Sequence, residues 1–168
     1  MRRRVMLVVY GIFGRMPRGL RRRAVRALSP KYTVGAICFV QRGDGHVLFV
    51  RHSYHRRWGT VGGLAKRNEP PDVAAVRETW EEAGLEVVLV GEPAVVVEPV
   101  LRRVDIVFLA RPAPGADARG ARPVSAEILE TRWFPPSGLP ELSTETATAW
   151  VALSRRADLD IGTHDPRP

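Results

Sequence analysis

The amino-acid sequence predicts a mixed α/β domain that follows a short basic arm. Runs rich in β-branched and aromatic residues are bounded by turn residues, and two segments with helical periodicity lie among them. The charge separates the first 31 residues from the rest. With 168 residues, 45% hydrophobic and 26% charged, the chain fits one domain with a single core. This composition excludes a collagen, a disulfide scaffold and a fully disordered chain.

The net charge of +8 is distributed unevenly along the chain. Residues 1–31 carry ten basic side chains and no acidic one, whereas residues 32–168 carry sixteen basic and eighteen acidic side chains. The excess positive charge therefore belongs to the arm, and the domain that follows is mildly acidic. The arm and the domain need separate explanations.

The arm, residues 1–30, begins with an apolar stretch over residues 5–13. Arginines precede this stretch, as in a signal peptide, but it is short, further arginines follow at once, and there is no cleavage site of small residues. It is also shorter than the ~20 apolar residues that span a bilayer. The sequence allows either a helix or a strand here.

A basic helix is predicted after Pro17. Leu20, Ala24 and Leu28 recur at helical spacing among arginines, and Pro30 follows the predicted end. Three interpretations of the arm stay open. It packs on the domain or on a homodimer partner, it lies in an anionic membrane surface, or it clamps the phosphates of a nucleic acid or another polyanion.

Six strands and two helices are predicted in the domain, followed by a frayed tail at residues 158–168. Turn residues at 42–45 predict that the first two strands form a β-hairpin. A Pro/Gly/Ala-rich loop is predicted over residues 112–123. The predicted strands are residues 32–41, 46–51, 85–90, 94–98, 104–110 and 127–134, and the predicted helices are residues 70–83 and 141–157.

The first of these helices carries three acidic residues on one face. Glu78, Glu81 and Glu82 stand at positions i, i+3 and i+4, and Gly84 ends the helix. Three carboxylates so close repel one another, and a hard divalent cation such as Mg²⁺ or Mn²⁺ would reverse that repulsion. An acidic face exposed to solvent is the alternative. On roughly the opposite face, Val73, Val76 and Trp80 are predicted to pack against the protein.

This segment resembles the Nudix box, which reads G-x5-E-x7-R-E-U-x-E-E-x-G-U with U an apolar residue. Thr79 at the first U position is the one departure, and Val61 stands where many members have proline in the preceding W-x-x-P-G-G sequence. A chance match of the eight defining residues is on the order of one in a million. These residues are Gly63, Glu69, Arg77, Glu78, Glu81, Glu82, Gly84 and Leu85.

The resemblance implies a Nudix hydrolase domain of the MutT-like type over residues 31–157. The implied fold is an α/β/α sandwich with a mixed β-sheet. The implied activity is hydrolysis of a pyrophosphate bond in a small nucleoside diphosphate derivative, by attack of water at phosphorus. A non-catalytic Nudix domain that binds a nucleotide or a partner is the alternative, as is a protein that acts through its basic arm.

The resemblance also implies roles for the residues of the box. Arg77 would orient the glutamates, and Glu69 would support the site. The base that activates water is Glu78, Glu81 or the more distant Glu127. Implied ligands of Mg²⁺, with Mn²⁺ as an alternative, are Gly63 through its carbonyl, Glu69, Glu78, Glu81 and Glu82.

Four further residues are candidates for substrate binding: Arg51, Arg57, Trp58 and Arg103. The arginines could bind phosphates and the indole could stack on a base, whereas a solvated loop or packing are the structural alternatives. The single cysteine, Cys38, cannot form an internal disulfide, which favours a reducing compartment. We expect a cytoplasmic protein, with peripheral membrane association left open by the arm.

Overall fold

The structure is a computed structural model that describes residues 2–161. It divides into two units, with the boundary between Lys31 and Tyr32. The first unit consists of two helices, α1 (Arg2–Arg15) and α2 (Arg18–Leu28). The basic helix predicted after Pro17 is confirmed, and the apolar stretch before it is also helical. Within the described residues, no helix has both the length and the hydropathy that a membrane crossing needs.

Six strands and two longer helices form the second unit as far as the structure describes it. In chain order they are β1 (Thr33–Val40), β2 (Val47–His52), β3 (Val61–Leu64), α3 (Pro71–Ala83), β4 (Val87–Glu98), β5 (Arg103–Pro112), β6 (Ile128–Phe134) and α4 (Thr144–Ile161). One sheet has the strand order β3–β1–β5–β4, with β1 parallel to β5 and the other neighbours antiparallel. The second sheet pairs β2 with β6.

The central strand β1 separates two halves of the core. Cys38 and Val40 pack in one cluster with Ala75 of α3, whereas Phe39 packs in another cluster with Ala149 of α4. Since successive residues of a strand point to opposite faces, the two helices cover opposite faces of the four-stranded sheet. The predicted α/β/α sandwich with a mixed sheet is confirmed.

The β-hairpin predicted for the first two strands is wrong. The turn does form, because the Arg42 backbone N–H donates to the His46 carbonyl at 2.9 Å and that of Gly45 donates to the Arg42 carbonyl at 3.0 Å. After one bridge between Gln41 and Val47, however, the strands separate into the two sheets. Both edges of β1 are already occupied by β3 and β5, so β2 pairs with β6.

The packing face predicted for α3 is also wrong. Val73, Val76 and Trp80 are exposed, and Trp80 has 54% of its surface in solvent. The helix packs instead through small side chains that include Ala75 and Thr79, both fully buried. Small side chains let the helix backbone approach the sheet closely, whereas an indole ring on that face would hold it away.

One strand replaces the two predicted over residues 85–90 and 94–98. The pairing of β4 with β5 is interrupted between Val90 and Ala94, where Gly91 takes a φ of 67°. The residues between the predicted strands thus bulge out without ending the strand. β4 also forms one edge of the four-stranded sheet.

The remaining differences are at element ends. The sequence does not predict β3, because its four residues Val-Gly-Gly-Leu include two glycines, which disfavour strands. The helix α4 begins at Thr144 rather than at residue 141, since the Ser143 hydroxyl accepts a hydrogen bond from the Thr146 backbone N–H at 3.2 Å. α4 continues to Ile161, and the rest of the predicted tail, residues 162–168, lies outside the described residues.

Candidate active site

The two glycines of β3 let this strand approach β1 through Gly62 and α3 through Gly63. Gly62 has a φ of 154°, and a Cβ atom there would lie 2.5 Å from the carbonyl oxygen of Ala36. At Gly63, a Cβ atom would lie 2.5 Å from Oε1 of Glu78. Only glycine therefore leaves room for the Glu78 carboxylate to stand against the strand.

Arg77 lies at the centre of a group of carboxylates. Its guanidinium binds Glu69 in a bidentate manner, with Nε 2.7 Å from Oε1 and Nη2 2.9 Å from Oε2. Its Nη1 also donates to Oε1 of Glu78 at 2.7 Å and to Oε2 of Glu81 at 2.9 Å. The Arg77 side chain is 18% exposed, so these contacts are partly shielded from water. The orienting role of Arg77 stays a prediction, and these are the contacts that it requires.

The Arg77 contacts also shift the ionisation of the group. Hydrogen bonds from Arg77, followed by one from the Lys66 backbone N–H, lower the pKa of Glu69 to about 2. The hydrogen bond to Glu69 is in turn the main cause of a raised pKa at Arg77. Both groups are therefore fully charged near neutral pH, and Glu69 is a permanent anionic partner of Arg77.

Glu82 is the buried carboxylate of the site. Its side chain is 7% exposed, and Oε2 accepts a hydrogen bond from the Gly62 backbone N–H at 3.2 Å. Burial raises the pKa of Glu82 to about 8, the Gly62 hydrogen bond opposes this shift, and the charges of Glu78, Glu127 and Glu81 add to it. A carboxyl group in such surroundings is stabilised by a proton or by a cation.

The predicted ligands fit a hard divalent cation. In the conformation described, Arg77 holds three of the four predicted carboxylates, and within residues 2–161 no three acidic, histidine or cysteine side chains stand close enough together to hold a metal. The assignment stays a prediction, supported by the buried acid Glu82 and by the space that Gly63 leaves. All of the predicted ligands supply oxygen, which Mg²⁺ and Mn²⁺ prefer: Gly63, Glu69, Glu78, Glu81 and Glu82.

The raised pKa of Glu82 makes the metal-free protein less stable as pH rises. In the unfolded chain Glu82 ionises near its ordinary pKa of 4.5, whereas in the folded protein it keeps its proton to about pH 8. The folded state therefore binds more protons between these values. The stabilisation is complete below about pH 4.5 and is lost as pH rises through about 8.

We expect Glu82→Gln to remove the loss of stability at high pH, because glutamine does not ionise. At pH 8 and with a chelator present, its free energy of unfolding should exceed that of the wild type by a few kcal/mol. Thermal unfolding between pH 4.5 and pH 9 measures the effect. Glu86→Gln, a change of the same charge at an exposed residue, is the control and should behave as wild type. The same pH slope in Glu82→Gln and wild type would contradict the prediction.

Glu127, the third candidate for the general base, lies immediately before β6. Its backbone carbonyl accepts a hydrogen bond from the Ser53 backbone N–H at 2.7 Å, which ties this point to the end of β2. Its side chain is exposed, and its charge contributes to the raised pKa of Glu82. The fold thus brings a carboxylate from outside the box within electrostatic reach of the buried acid.

A cavity of about 310 Å³ opens beside the two glycines of β3, and Arg57 and Arg103 line it. Nε of Arg57 lies 2.8 Å from Oε1 of Glu141, and both side chains are largely exposed. Arg103 is held between Asp105 on its own strand, at 2.7 Å, and Glu145 of α4, at 2.5 Å. Two of the four predicted substrate-binding residues therefore lie together at this cavity.

The other two predicted substrate-binding residues, Arg51 and Trp58, lie outside the lining of this cavity. Nη2 of Arg51 contacts Oε2 of Glu130 at 3.1 Å, across the β2–β6 pair. The ring of Trp58 meets that of Phe134 edge to face, with centroids 5.0 Å apart. Both residues have structural partners, which were the alternatives that the sequence left open.

The cavity also contains Tyr54 and Glu145, which were not identified from the sequence. The Tyr54 ring lies 4.8 Å from the ring of His55 and 5.3 Å from that of His52, and all three residues line the cavity. Burial, followed by the charge of His55, lowers the pKa of His52, so this imidazole is neutral near pH 7. Tyr54 lies close to the box in sequence, which could have identified it. Glu145 had no such signal, because its contact with Arg103 depends on the fold.

Comparison with known proteins agrees with this geometry. A family model described as the NUDIX domain matches residues 31–154. A MutT-like protein of Streptomyces ambofaciens is 28% identical over 116 residues, which are 69% of this chain and 72% of that protein.

A second curated relative and a solved structure extend the comparison. The CMP-5'-(N-acetyl-N-hydroxy-3-aminopropyl)phosphonate hydrolase of Streptomyces rubellomurinus is 35% identical over 107 residues, which are 62% of this chain and 52% of that enzyme. The chain therefore spans about half of the length of that relative. The crystal structure of a NUDIX hydrolase from Nitrosomonas europaea has a TM-score of 0.66 at 22% identity, and the match covers 81% of this chain and 76% of that one.

Proposed function

The chain belongs to the NUDIX family of hydrolases, and on that premise we propose that it hydrolyses a pyrophosphate bond in a nucleoside diphosphate derivative. The observation that carries the proposal is the set of four glutamates gathered around Arg77 and the β3 glycines, beside a cavity with two arginines. A relative named as the hydrolase of a CMP-linked phosphonate supports a nucleotide as part of the substrate.

Hydrolysis at phosphorus requires positive charge that neutralises the negative charge on the phosphate oxygens, and a water molecule aligned for attack. When bound by the box residues, Mg²⁺ or Mn²⁺ supplies positive charge against those oxygens. Glu82 is the buried carboxylate of the group and accepts a hydrogen bond from the Gly62 backbone N–H. Arg77 fixes the rotamers of Glu78 and Glu81, so that these two side chains are positioned before substrate binds.

A carboxylate of the site accepts the proton of the attacking water, and Glu78, Glu81 and Glu127 are the candidates. Glu78 and Glu81 both accept a hydrogen bond from Nη1 of Arg77, so a proton taken up by either carboxylate would weaken its contact with that arginine. The side chain of Glu127 is exposed and lies outside the network in which Arg77 joins Glu69, Glu78 and Glu81. Its position near Glu82 supports Glu127 as a base that can act without disturbing that network.

The residues of the cavity support binding of the remainder of the substrate. Arg57 offers a charged guanidinium on its open side, which suits a phosphate or phosphonate oxygen. Tyr54 and the neighbouring imidazoles offer flat aromatic surfaces for a nucleobase. Gly63 lies both in the box and in the lining, so the cavity is continuous with the site of hydrolysis.

A phosphate-release screen tests the proposed function. The purified chain is incubated with a panel of nucleoside diphosphate derivatives and either Mg²⁺ or Mn²⁺, and a coupled phosphatase reports the monophosphate products. We expect at least one compound to be hydrolysed, with complete loss of activity in the presence of a chelator. Failure to hydrolyse any compound with either cation would contradict the proposal and favour a nucleotide-binding domain without catalysis.

A change at Arg57 should affect binding more than turnover. We expect Arg57→Gln to raise KM about tenfold with little change in kcat, because a charged hydrogen bond to the substrate is lost in the ground and transition states alike. Arg51→Gln is the matched control, since Arg51 lies outside the cavity, and its KM should stay within about twofold of wild type. Equal KM values for the two variants would contradict the placement of the substrate in this cavity.

A further inference from the structure

The helices α1 and α2 expose most of their large apolar side chains. In α2, Leu20 is 50% exposed and Leu28 is 86% exposed. In α1, the apolar stretch over residues 5–13 includes exposed side chains at Leu7 and Tyr10. Exposed apolar surface on this scale, on two successive helices, is typical of a surface that contacts a partner.

The side chains of α2 are divided between two faces. At 100° per residue, its leucines and two alanines fall within an arc of about 100°, and four arginines occupy the opposite side of the helix. The apolar face consists of Leu20, Ala24, Ala27 and Leu28, and the charged face of Arg18, Arg22, Arg23 and Arg26. Arg21 and Val25 lie at the border between the two faces, and the Arg21 guanidinium stands 5.8 Å from the centre of the Phe13 ring of α1.

The charge of the arm matches one kind of partner. Residues 1–31 carry ten basic side chains and no acidic one, so the arm attracts an anionic surface and contains no carboxylate to neutralise it. A helix that combines such charge with an apolar face is the pattern of segments that lie in the interface of a membrane. Nucleic acid would satisfy the arginines but would leave the leucines of α2 and the apolar stretch of α1 in water.

We propose that α1 and α2 bind the surface of an anionic phospholipid bilayer. The apolar side chains enter the boundary between headgroups and acyl chains, and the arginines contact headgroup phosphates. The 14 residues of α1 extend over only ~21 Å, less than the ~30 Å hydrocarbon core, so the helix lies in the interface and does not cross it. The arm then places the hydrolase domain at a membrane.

Sedimentation with lipid vesicles tests this proposal. The 168-residue chain is mixed with vesicles of phosphatidylcholine alone, or of phosphatidylcholine and phosphatidylglycerol, and the bound fraction is measured against lipid concentration. We expect binding only to the vesicles that contain phosphatidylglycerol, and weaker binding at high salt. Equal binding to both kinds of vesicle, or no binding to either, would overturn the proposal.

Two variants separate the contributions of the two faces of α2. R22Q/R23Q/R26Q should weaken vesicle binding by roughly a hundredfold, since each arginine near an anionic surface contributes about fivefold. L20Q/L28Q keeps the full charge and should weaken it by more than tenfold. The control R111Q/R119Q/R122Q removes three exposed arginines from the domain and should bind as wild type. Circular dichroism checks that each variant keeps its helices.

The variant L20Q/L28Q also distinguishes a membrane from a polyanion. If its affinity for anionic vesicles falls while its affinity for duplex DNA equals that of wild type, the apolar face acts on lipid and the proposal stands. If L20Q/L28Q binds anionic vesicles as tightly as wild type does, the arm is a purely electrostatic clamp and the proposal fails.

Discussion

Glu81→Gln is expected to lower turnover by roughly a hundredfold or more at saturating Mg²⁺, and Glu82→Gln should do the same. Glutamine preserves the shape of the side chain and removes the charge that would hold the cation. Glu82 cannot be replaced in this role by a neighbour, because it is the buried acid fixed by the Gly62 backbone N–H. Steady-state kcat, measured as a function of Mg²⁺ concentration for each variant, tests the expectation.

A change of equal charge outside the site is the control for these variants. Glu86 lies just beyond the end of α3 and is exposed, so Glu86→Gln should keep kcat within about twofold of wild type. Glu127→Gln adds a distinction: loss of the base lowers kcat and flattens its pH profile, without raising the Mg²⁺ concentration that is needed. Wild-type turnover in Glu81→Gln or Glu82→Gln at saturating Mg²⁺ would refute the ligand assignment.

Arg77→Met should be the second most damaging substitution. Methionine fills much of the volume of arginine but leaves Glu69, Glu78 and Glu81 without the cation that they share. The loss of an orienting partner typically lowers activity by 10- to 100-fold, and we expect a fall in kcat of that size. Mutual repulsion of the carboxylates should also lower the melting temperature of the metal-free protein.

Two further variants show whether orientation is the cause. Arg77→Lys keeps the charge, but an ammonium group cannot reproduce a bidentate contact with Glu69 and a second contact with two other acids, so it should rescue little of the activity. Arg111→Met, at an exposed position of β5, should leave both kcat and the melting temperature unchanged. Full activity in Arg77→Lys would mean that charge alone is needed and that the geometry of the guanidinium is not.

The parts of the fold that depend on local sequence could be predicted. The end of helix α3 was marked by Gly84, which adopts the left-handed conformation that ends a helix, with a φ of 62°. The spacing of the box residues predicted that Glu69 and Glu78 belong to one site, and both accept hydrogen bonds from the Arg77 guanidinium. Such features depend on spacing along one element, which the sequence states directly.

The parts of the fold that depend on competition between distant segments could not be predicted from the sequence. The turn at residues 42–45 is compatible with a hairpin, and only the pairing of β1 with β3 and β5 leaves β2 to pair with β6. Hydrophobicity likewise predicted that Trp80 packs α3 against the protein, whereas the close approach of α3 to the sheet favours small residues. The Arg103–Glu145 contact joins β5 to α4 over 42 positions, and no local pattern indicates it.

The interruption in β4 has a consequence for how the protein behaves at high concentration. An edge strand with a continuous row of free N–H and C=O groups is a template for aggregation, and β4 exposes Val95 and Val97, which would favour it. Its ladder is broken between Val90 and Ala94, and Pro93 within the break has no N–H to donate. A strand from another molecule could therefore follow β4 for only a few residues at a time, and we expect the break to limit fibril formation along this open edge.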